Sequence, residues 1–331
     1  MHLVSRDATP LLLCTGSLNI DIIAAVPEFP RRDGRITAQP FQQRLGGMAG
    51  NAACAAAALG DCWPHRVLLV APIGNDSNSS WAENELQTRG VATDWLDRNS
   101  TPYTPRCVIL VEPDGARTIV TEPTRLLYTR IDACLDACQE HRSRKLIYAE
   151  GHHLPWMQEQ LVHARNLGWR IAVDIDGMPL ERLSQTYFEA IVLDSDIVFL
   201  NTLYAETLFA DPKPGPSSQS VARLQTLADC GTTLILLTLG AAGALLISPM
   251  STPLKLPTLR VEVKDTTGAG DVFAGVFCAA WLCEIPPARA AAYATLAATL
   301  STTALGAVGY LATAAELEAQ LQEMGTFGHP Y

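Results

Sequence analysis

The chain reads as an α/β protein: a doubly wound, mostly parallel sheet with a small β-sheet projecting from it as a lid. Two observations predict this. Short continuous apolar runs, as in strands buried on both faces, alternate with helical segments along most of the chain. Two other stretches, 24–45 and 103–123, are strand-like but mix apolar with polar residues, and do not fit inside such a core. The body therefore takes 11–23, 46–102 and 124–331, and the lid takes the two insertions 24–45 and 103–123.

Leu11–Cys14 and Leu18–Ile23 read as one apolar strand interrupted by a short polar stretch, and Arg35–Leu45 as a half-exposed strand. After Gly46-Gly47, Met48–Leu59 holds seven alanines and stops at Gly60, a helix with a glycine end. Val67–Ala71 is a buried strand, and Asn84–Thr88 belongs to a helix ending before Gly90. Cys107–Val111 and Thr118–Thr121 flank Glu112-Pro113-Asp114-Gly115, a turn sequence, and predict a hairpin. Leu146–Ala149, Ile171–Val173, Ile197–Leu200, Thr233–Thr238 and Leu245–Ile247 supply the later strands of βαβ units. Asp211–Ser220, with three prolines, is a surface loop. Leu259–Val263 is strand-like and leads toward an apolar helix, Val272–Leu282.

Composition limits the function. Of 331 residues, 48% are hydrophobic and 18% charged, which excludes disorder and coiled coil. Thirty-four acidic residues against 24 basic ones give a net charge of −10, the wrong sign for a diffuse nucleic-acid footprint. The early apolar stretch Leu11–Val26 is broken by Asn19 and Asp21, far short of the ~20 residues of a membrane span. Nine scattered cysteines without a CxxC pair argue against a disulfide framework or zinc site, and point to buried reduced thiols and the cytoplasm.

The strongest local signal is Asp265-Thr266-Thr267-Gly268-Ala269-Gly270-Asp271. Gly268 and Gly270 remove side chains where a backbone must approach a ligand closely. Free N–H groups at a helix start, with the helix dipole, make an anion site there. Asp271 beside that site has two readings. It caps the helix, or it takes a hydroxyl proton while the amides hold a transferring phosphoryl group. The segment lacks GxxxxGK[ST] and the second half of GxGxxG, so it is neither a Walker loop nor a dinucleotide fingerprint. Asp21 reads as a ligand-binding residue at a strand's C-terminal end or as a solvated turn residue. Glu150-Gly151-His152-His153 follows a strand and reads as facing the substrate or as a loop with a solvated histidine pair, and Asp174 and Asp176 read as reaching the cleft or as one exposed and one capping residue. Arg31, Arg32 and Arg35 form either a solvated edge or a partner for an anionic group.

Together, in order, these segments resemble the ribokinase-like (PfkB) carbohydrate kinases. Gly16-Ser17-Leu18-Asn19-Ile20-Asp21 and Gly46-Gly47-x-x-x-Asn51 are similar to that family's N-terminal signature. The Asp265–Asp271 segment, continued by Phe273 and Gly275, is similar to its C-terminal one. Thr238-Leu239-Gly240-Ala241-Ala242-Gly243 resembles its nucleotide-side turn, and the match runs from about residue 12 to 320. The resemblance implies ATP-dependent phosphorylation of a primary hydroxyl, a lid over the sugar, and a homodimer through that lid. By motif it makes Asp271 the base and the Gly268, Ala269 and Gly270 backbone the anion hole. It gives Asn19, Asp21, Gly46, Gly47 and Asn51 to the sugar, and Asn201, Thr238, Gly240, Gly243 and Thr266 to the nucleotide. It implies Mg2+ with ATP, and a monovalent cation near Asp265 and Gly306.

Two departures bear on detail. The family's N-x-x-E motif reads Asn201-Thr202-Leu203-Tyr204 here; Glu206 lies two positions later, turned about 160° away on a helix. The metal ligands therefore stay unassigned. Ribokinases resembling the family type carry a lysine after the paired glycines, whereas this chain has Met48, which weakens a ribose assignment. The expectation is an ATP-dependent sugar kinase. A nucleoside kinase, with Tyr103 and Phe41 as candidate base partners, and a catalytically weak sugar-binding regulator are the alternatives.

Overall fold

The computed structural model describes residues 9–113, 116–209 and 215–325, together with the backbone of 329–330. In chain order its strands are β1 (Leu11–Thr15), β2 (Asn19–Ala25), β3 (Gln42–Gly46), β4 (Arg66–Val70), β5 (Val91–Ala92), β6 (Arg106–Val111) and β7 (Arg117–Thr121). Then follow β8 (Lys145–Glu150), β9 (Arg170–Asp174), β10 (Ile197–Asn201), β11 (Leu234–Thr238), β12 (Ala244–Ile247), β13 (Leu254–Leu256) and β14 (His329–Pro330). The helices are α1 (Met48–Ala57), α2 (Ser77–Thr88), α3 (Tyr128–Ala137), α4 (Gln158–Asn166) and α5 (Gln185–Leu193). The later ones are α6 (Thr202–Phe209), α7 (Ser218–Gly231), α8 (Ala269–Leu282), α9 (Pro287–Ser301) and α10 (Ala314–Met324).

The large sheet runs β14-β13-β12-β11-β10-β9-β8-β1-β4-β5, and β11 through β5 are parallel. Its central strands are buried on both faces, so they read as unbroken apolar runs. Leu12 and Cys14 of β1 pack toward α1, α8 and α9, while Leu11 and Leu13 pack toward α3, α4 and α7. The alanines of α1 let it lie against α8 with little separation: a Cβ added at Gly275 would sit 2.2 Å from the Ala52 carbonyl oxygen.

The second sheet runs β3-β2-β6-β7, with β2 parallel to β6 and the other pairs antiparallel. The hairpin predicted around residues 112–115 is present as β6 and β7; Asp114 and Gly115 lie outside the described residues. Four local expectations are corrected. Leu11–Cys14 and Leu18–Ile23 are not one strand, because the chain turns at Gly16 and β2 enters the small sheet. Only residues 42–45 of the Arg35–Leu45 stretch are strand, as part of β3. Leu259–Val263 forms no strand, since β13 already occupies the place beside β12. Ser218–Ser220 belong to α7, and residues 211–214 of that expected loop lie outside the described residues.

All nine cysteines are unpaired; six are buried, but Cys62 and Cys230 are exposed and Cys283 is half-buried, so burial does not hold for every thiol. Among the described residues no helix is long and apolar enough to cross a membrane.

Candidate active site

Parallel strands bring their C-terminal ends to one edge. Register puts Glu150 beside Asp174 and Asn201 beside Thr238 along it. Chain direction across the sheet reverses between β1 and β8, the crevice where open α/β sheets bind ligands. Gly16 sits there with φ 146°, and a Cβ on it would lie 2.3 Å from the Glu150 carboxyl carbon. Ser17 Oγ (2.9 Å) and the Ala49 amide (3.0 Å) both donate to Glu150 Oε2, while Ser17 Oγ accepts from the Met48 amide at 3.0 Å. Glu150 is completely buried, which pushes its carboxyl up to about 7. Its Oε1 and Nε2 of the buried His153 lie 3.9 Å apart, and neither has a hydrogen-bond partner among the described residues. Burial lowers His153 to about 4, so it is neutral near pH 7. The expectation of a solvated histidine pair is thus corrected: His152 is exposed but His153 is not.

Asp271 lies in the first turn of α8, buried, and burial holds its carboxyl well above the usual carboxylate range. Asn51 Nδ2, from α1, donates to its Oδ2 at 2.8 Å. The helix starts on Gly268 at φ 71°, where a Cβ would stand 2.2 Å from Ala307 Cβ. Asp265 fixes the approach to this turn: its two oxygens accept the amides of Thr267 (2.9 Å) and Gly306 (2.8 Å). Gly270 is exposed, and a Cβ there would meet nothing within 4 Å.

The small sheet stands beside the same turn, with Arg44 Cγ 3.0 Å from the position of a Cβ at Gly306. Its inner face carries Asp21, opposite Arg44 in β3 and Cys107 in β6. Asn19 Nδ2 donates to Cys107 Sγ at 3.2 Å, and the thiol hydrogen-bonds Asp21. Burial raises Asp21 to about 7. Gly46 is required beside it, because a Cβ would sit 2.2 Å from Asp21 Oδ2. Gly47, at φ 87°, opens α1 with its Cβ position 2.7 Å from the Ser17 carbonyl oxygen.

A model of the pfkB family carbohydrate kinases matches residues 9–314. The chain belongs to that family. A ribokinase of Haemophilus influenzae is 28% identical over 311 residues, covering 92% of this chain and 96% of that protein. An ATP-dependent ribose-1-phosphate kinase of Halopiger xanaduensis is 25% identical over 299 residues, covering 89% and 93%. A ribokinase structure from Thermotoga maritima superposes with TM-score 0.75 at 25% identity, covering 96% of this chain and all of that one. The fold is ribokinase-like, and the protein is an ATP-dependent phosphotransferase of sugars or nucleosides.

Within this kinase the side of the edge beyond β9 differs from simple motif transfer. Asn201 donates from Nδ2 to Asp176 Oδ2 (2.9 Å) and accepts the Tyr204 amide on Oδ1 (3.2 Å), so it starts α6. Tyr204 is buried, and its hydroxyl donates to the Met178 carbonyl at 2.9 Å. Glu206 instead accepts the Gly215 amide. Among the described residues no three His, Cys, Asp or Glu side chains gather as metal ligands. Asp174 is buried and accepts from Tyr148 Oη (3.1 Å) and, as a local cap, from the Asp176 amide (3.0 Å), while Asp176 is half-buried, so neither of the two is exposed. Gly240 opens the turn after β11 at φ 56°, and at Gly243 a Cβ would lie 1.9 Å from the Leu256 carbonyl oxygen. Arg31, Arg32 and Arg35 are exposed and form no ion pair among the described residues. Phe41 and Tyr103 are likewise exposed, at 70% and 66%.

The sequence gives no sign of the Ser17–Glu150 hydrogen bond, and it shows Glu150 only as the head of a segment after a strand that could face the substrate. The signal available was position: a carboxylate ending a continuous apolar strand run.

Proposed function

We propose that this kinase transfers the γ-phosphoryl group of ATP to a primary hydroxyl of a small carbohydrate, with Asp271 as general base. The observation that carries the reading is the buried Asn51–Asp271 contact at the start of α8, inside a cleft lined by further buried polar atoms. Asn51 Oδ1, Glu150 Oε1 and Thr267 Oγ1 have no hydrogen-bond partner among the described residues. Buried polar groups are normally paired. Hydroxyl-rich sugars offer both donors and acceptors to such atoms.

Asn19, Asp21, Gly46, Gly47 and Asn51 would hold the sugar under the small sheet, which acts as its lid. Asn51 orients Asp271. Asp271 takes the hydroxyl proton as that oxygen attacks the γ-phosphorus in line, and the bond to the β–γ bridging oxygen breaks to release ADP. Raised basicity suits it to that transfer. The Gly268–Gly270 backbone faces the phosphoryl oxygens, and the absence of a side chain at Gly270 leaves room for close approach. The α8 dipole adds attraction for the anion. Asn201, Thr238, Gly240, Gly243 and Thr266 would line the nucleotide. Mg2+ would come with ATP and, when bound, would supply charge neutralisation for the phosphates. A monovalent cation near Asp265 and Gly306 would find the Asp265 carboxylate already bridging two amides. Met48, next to Glu150's Ser17, places a thioether where ribokinases resembling the family type place a cation. The acceptor is therefore taken to be a carbohydrate other than ribose.

The open face of the lid carries an apolar row, Ile22, Val108 and Val120, with Val108 41% and Val120 64% exposed. We read it as the contact of a homodimer.

An ATP-consumption screen over ketoses, aldoses, sugar acids and nucleosides tests the reading. The wild type is expected to turn over one sugar class, and Asp271→Asn to lower kcat by about 10²–10⁴-fold while ATP still binds. Full activity in that variant removes Asp271 from the mechanism.

A further inference from the structure

Arg117 begins β7, on the strand hairpin of the lid. Register across the small sheet pairs Arg117 with Val111, and Thr121 with Cys107, which is also paired with Asp21. Register partners share a face, and alternate residues of one strand return to it. Arg117 therefore stands on the cleft side with Asp21, at the other end of the sheet. Its Nη1 donates to Thr266 Oγ1, two residues before the glycine that starts α8. Among the described residues it forms no ion pair, whereas Arg106 on the neighbouring strand is tied to Glu122. A guanidinium without a carboxylate is thus held by a neutral hydroxyl at the mouth of an anion site. Two independent elements, the lid and the α8 turn, place complementary groups there.

We propose that Arg117 is a phosphoryl-binding residue delivered by the lid: as the small sheet covers the cleft, its guanidinium joins the α8 amides on the phosphoryl group in transit. The proposal rests on the phosphoryl-transfer reading above. Planar N–H donors match two phosphoryl oxygens at once, and their charge offsets what accumulates on those oxygens.

The test uses the full-length enzyme and Arg117→Ala and Arg117→Lys variants. With the acceptor found by the screen, Arg117→Ala is expected to lower kcat about 10²–10³-fold, the range for removing one transition-state donor. KM for the sugar should stay within about twofold, and Arg117→Lys should recover part of the loss. Calorimetric titration with AMPPNP and with adenosine gives a readout that needs no acceptor. Arg117→Ala should weaken AMPPNP about tenfold and leave adenosine unchanged. Wild-type kcat together with wild-type AMPPNP affinity in Arg117→Ala overturns the proposal. No turnover by the wild type on any acceptor overturns the kinase assignment instead, and the titrations still decide the role of Arg117.

Discussion

Glu150 ends a buried strand with no exposed surface, and its carboxyl is held up to about 7 by burial, against two amide and hydroxyl donors that pull it down. A folded-state value raised from 4.5 means the native protein binds that proton more tightly than the unfolded chain does. The associated stability is fully present below about pH 4.5 and is lost as pH rises through about 7. Glu150→Gln has no proton to lose. Its melting temperature should exceed the wild type's at pH 8, by an amount worth on the order of 2 kcal/mol, and the difference should vanish below pH 4.5. Thermal melts across pH 4–8 check this; a pH-independent difference would refute it. The same variant should bind sugar less well, because under the proposed function the unpartnered Oε1 would meet the ligand while Oε2 ties Ser17 to the start of α1. Glu150 was hard to find in the sequence for that reason: it carries no motif spacing, and its burial depends on the register of β8 against β1 and β9. Asp271, Gly268, Gly46 and Gly47 were legible because a positive φ or a carboxylate in van der Waals contact admits only glycine, and this leaves a pattern in the sequence.

At the scale of elements, alternating apolar runs identified the parallel sheet, since a strand covered on both sides has no polar face to show. The same logic misjudged Leu18–Ile23. A strand in a small sheet with one buried face and one open apolar face reads much like core, and periodicity does not say which sheet it joins. Leu259–Val263 failed in the opposite way, because alternation makes a strand only where a neighbour has hydrogen bonds to give. The α1–α8 crossing gives a test at this scale. Gly275→Val would drive side-chain atoms into the Ala52 carbonyl, and either helix must move. We expect a loss of about 3 kcal/mol in urea unfolding, the upper part of the range for overpacking. A fall in kcat should accompany it, larger than that of a surface variant of equal stability, because the shift separates Asn51 from Asp271. Normal stability would show that the helices have room the geometry denies them.

For the whole molecule, the small sheet has two faces, to which the proposals give separate tasks: Asp21 and Arg117 share one, and Ile22, Val108 and Val120 share the other. Sedimentation at micromolar concentration should show a dimer for the wild type and a monomer for Val120→Lys, since a lysine in an apolar contact is desolvated without a partner. An unchanged sedimentation coefficient would place the dimer contact elsewhere or nowhere. The charge of −10 is compatible with all of this, because the proposed anion site needs only amides and a guanidinium placed locally. The Asn51–Asp271 contact also has a meaning during synthesis. Its two halves lie 220 residues apart in the chain. At roughly 5–20 residues per second, α1 waits on the order of 10–40 s on the ribosome before α8 exists to cover it. Through that interval its alanine face is open to any other apolar surface, so the most demanding moment for this protein comes before it has a catalytic centre, and belongs to chaperones and translation speed.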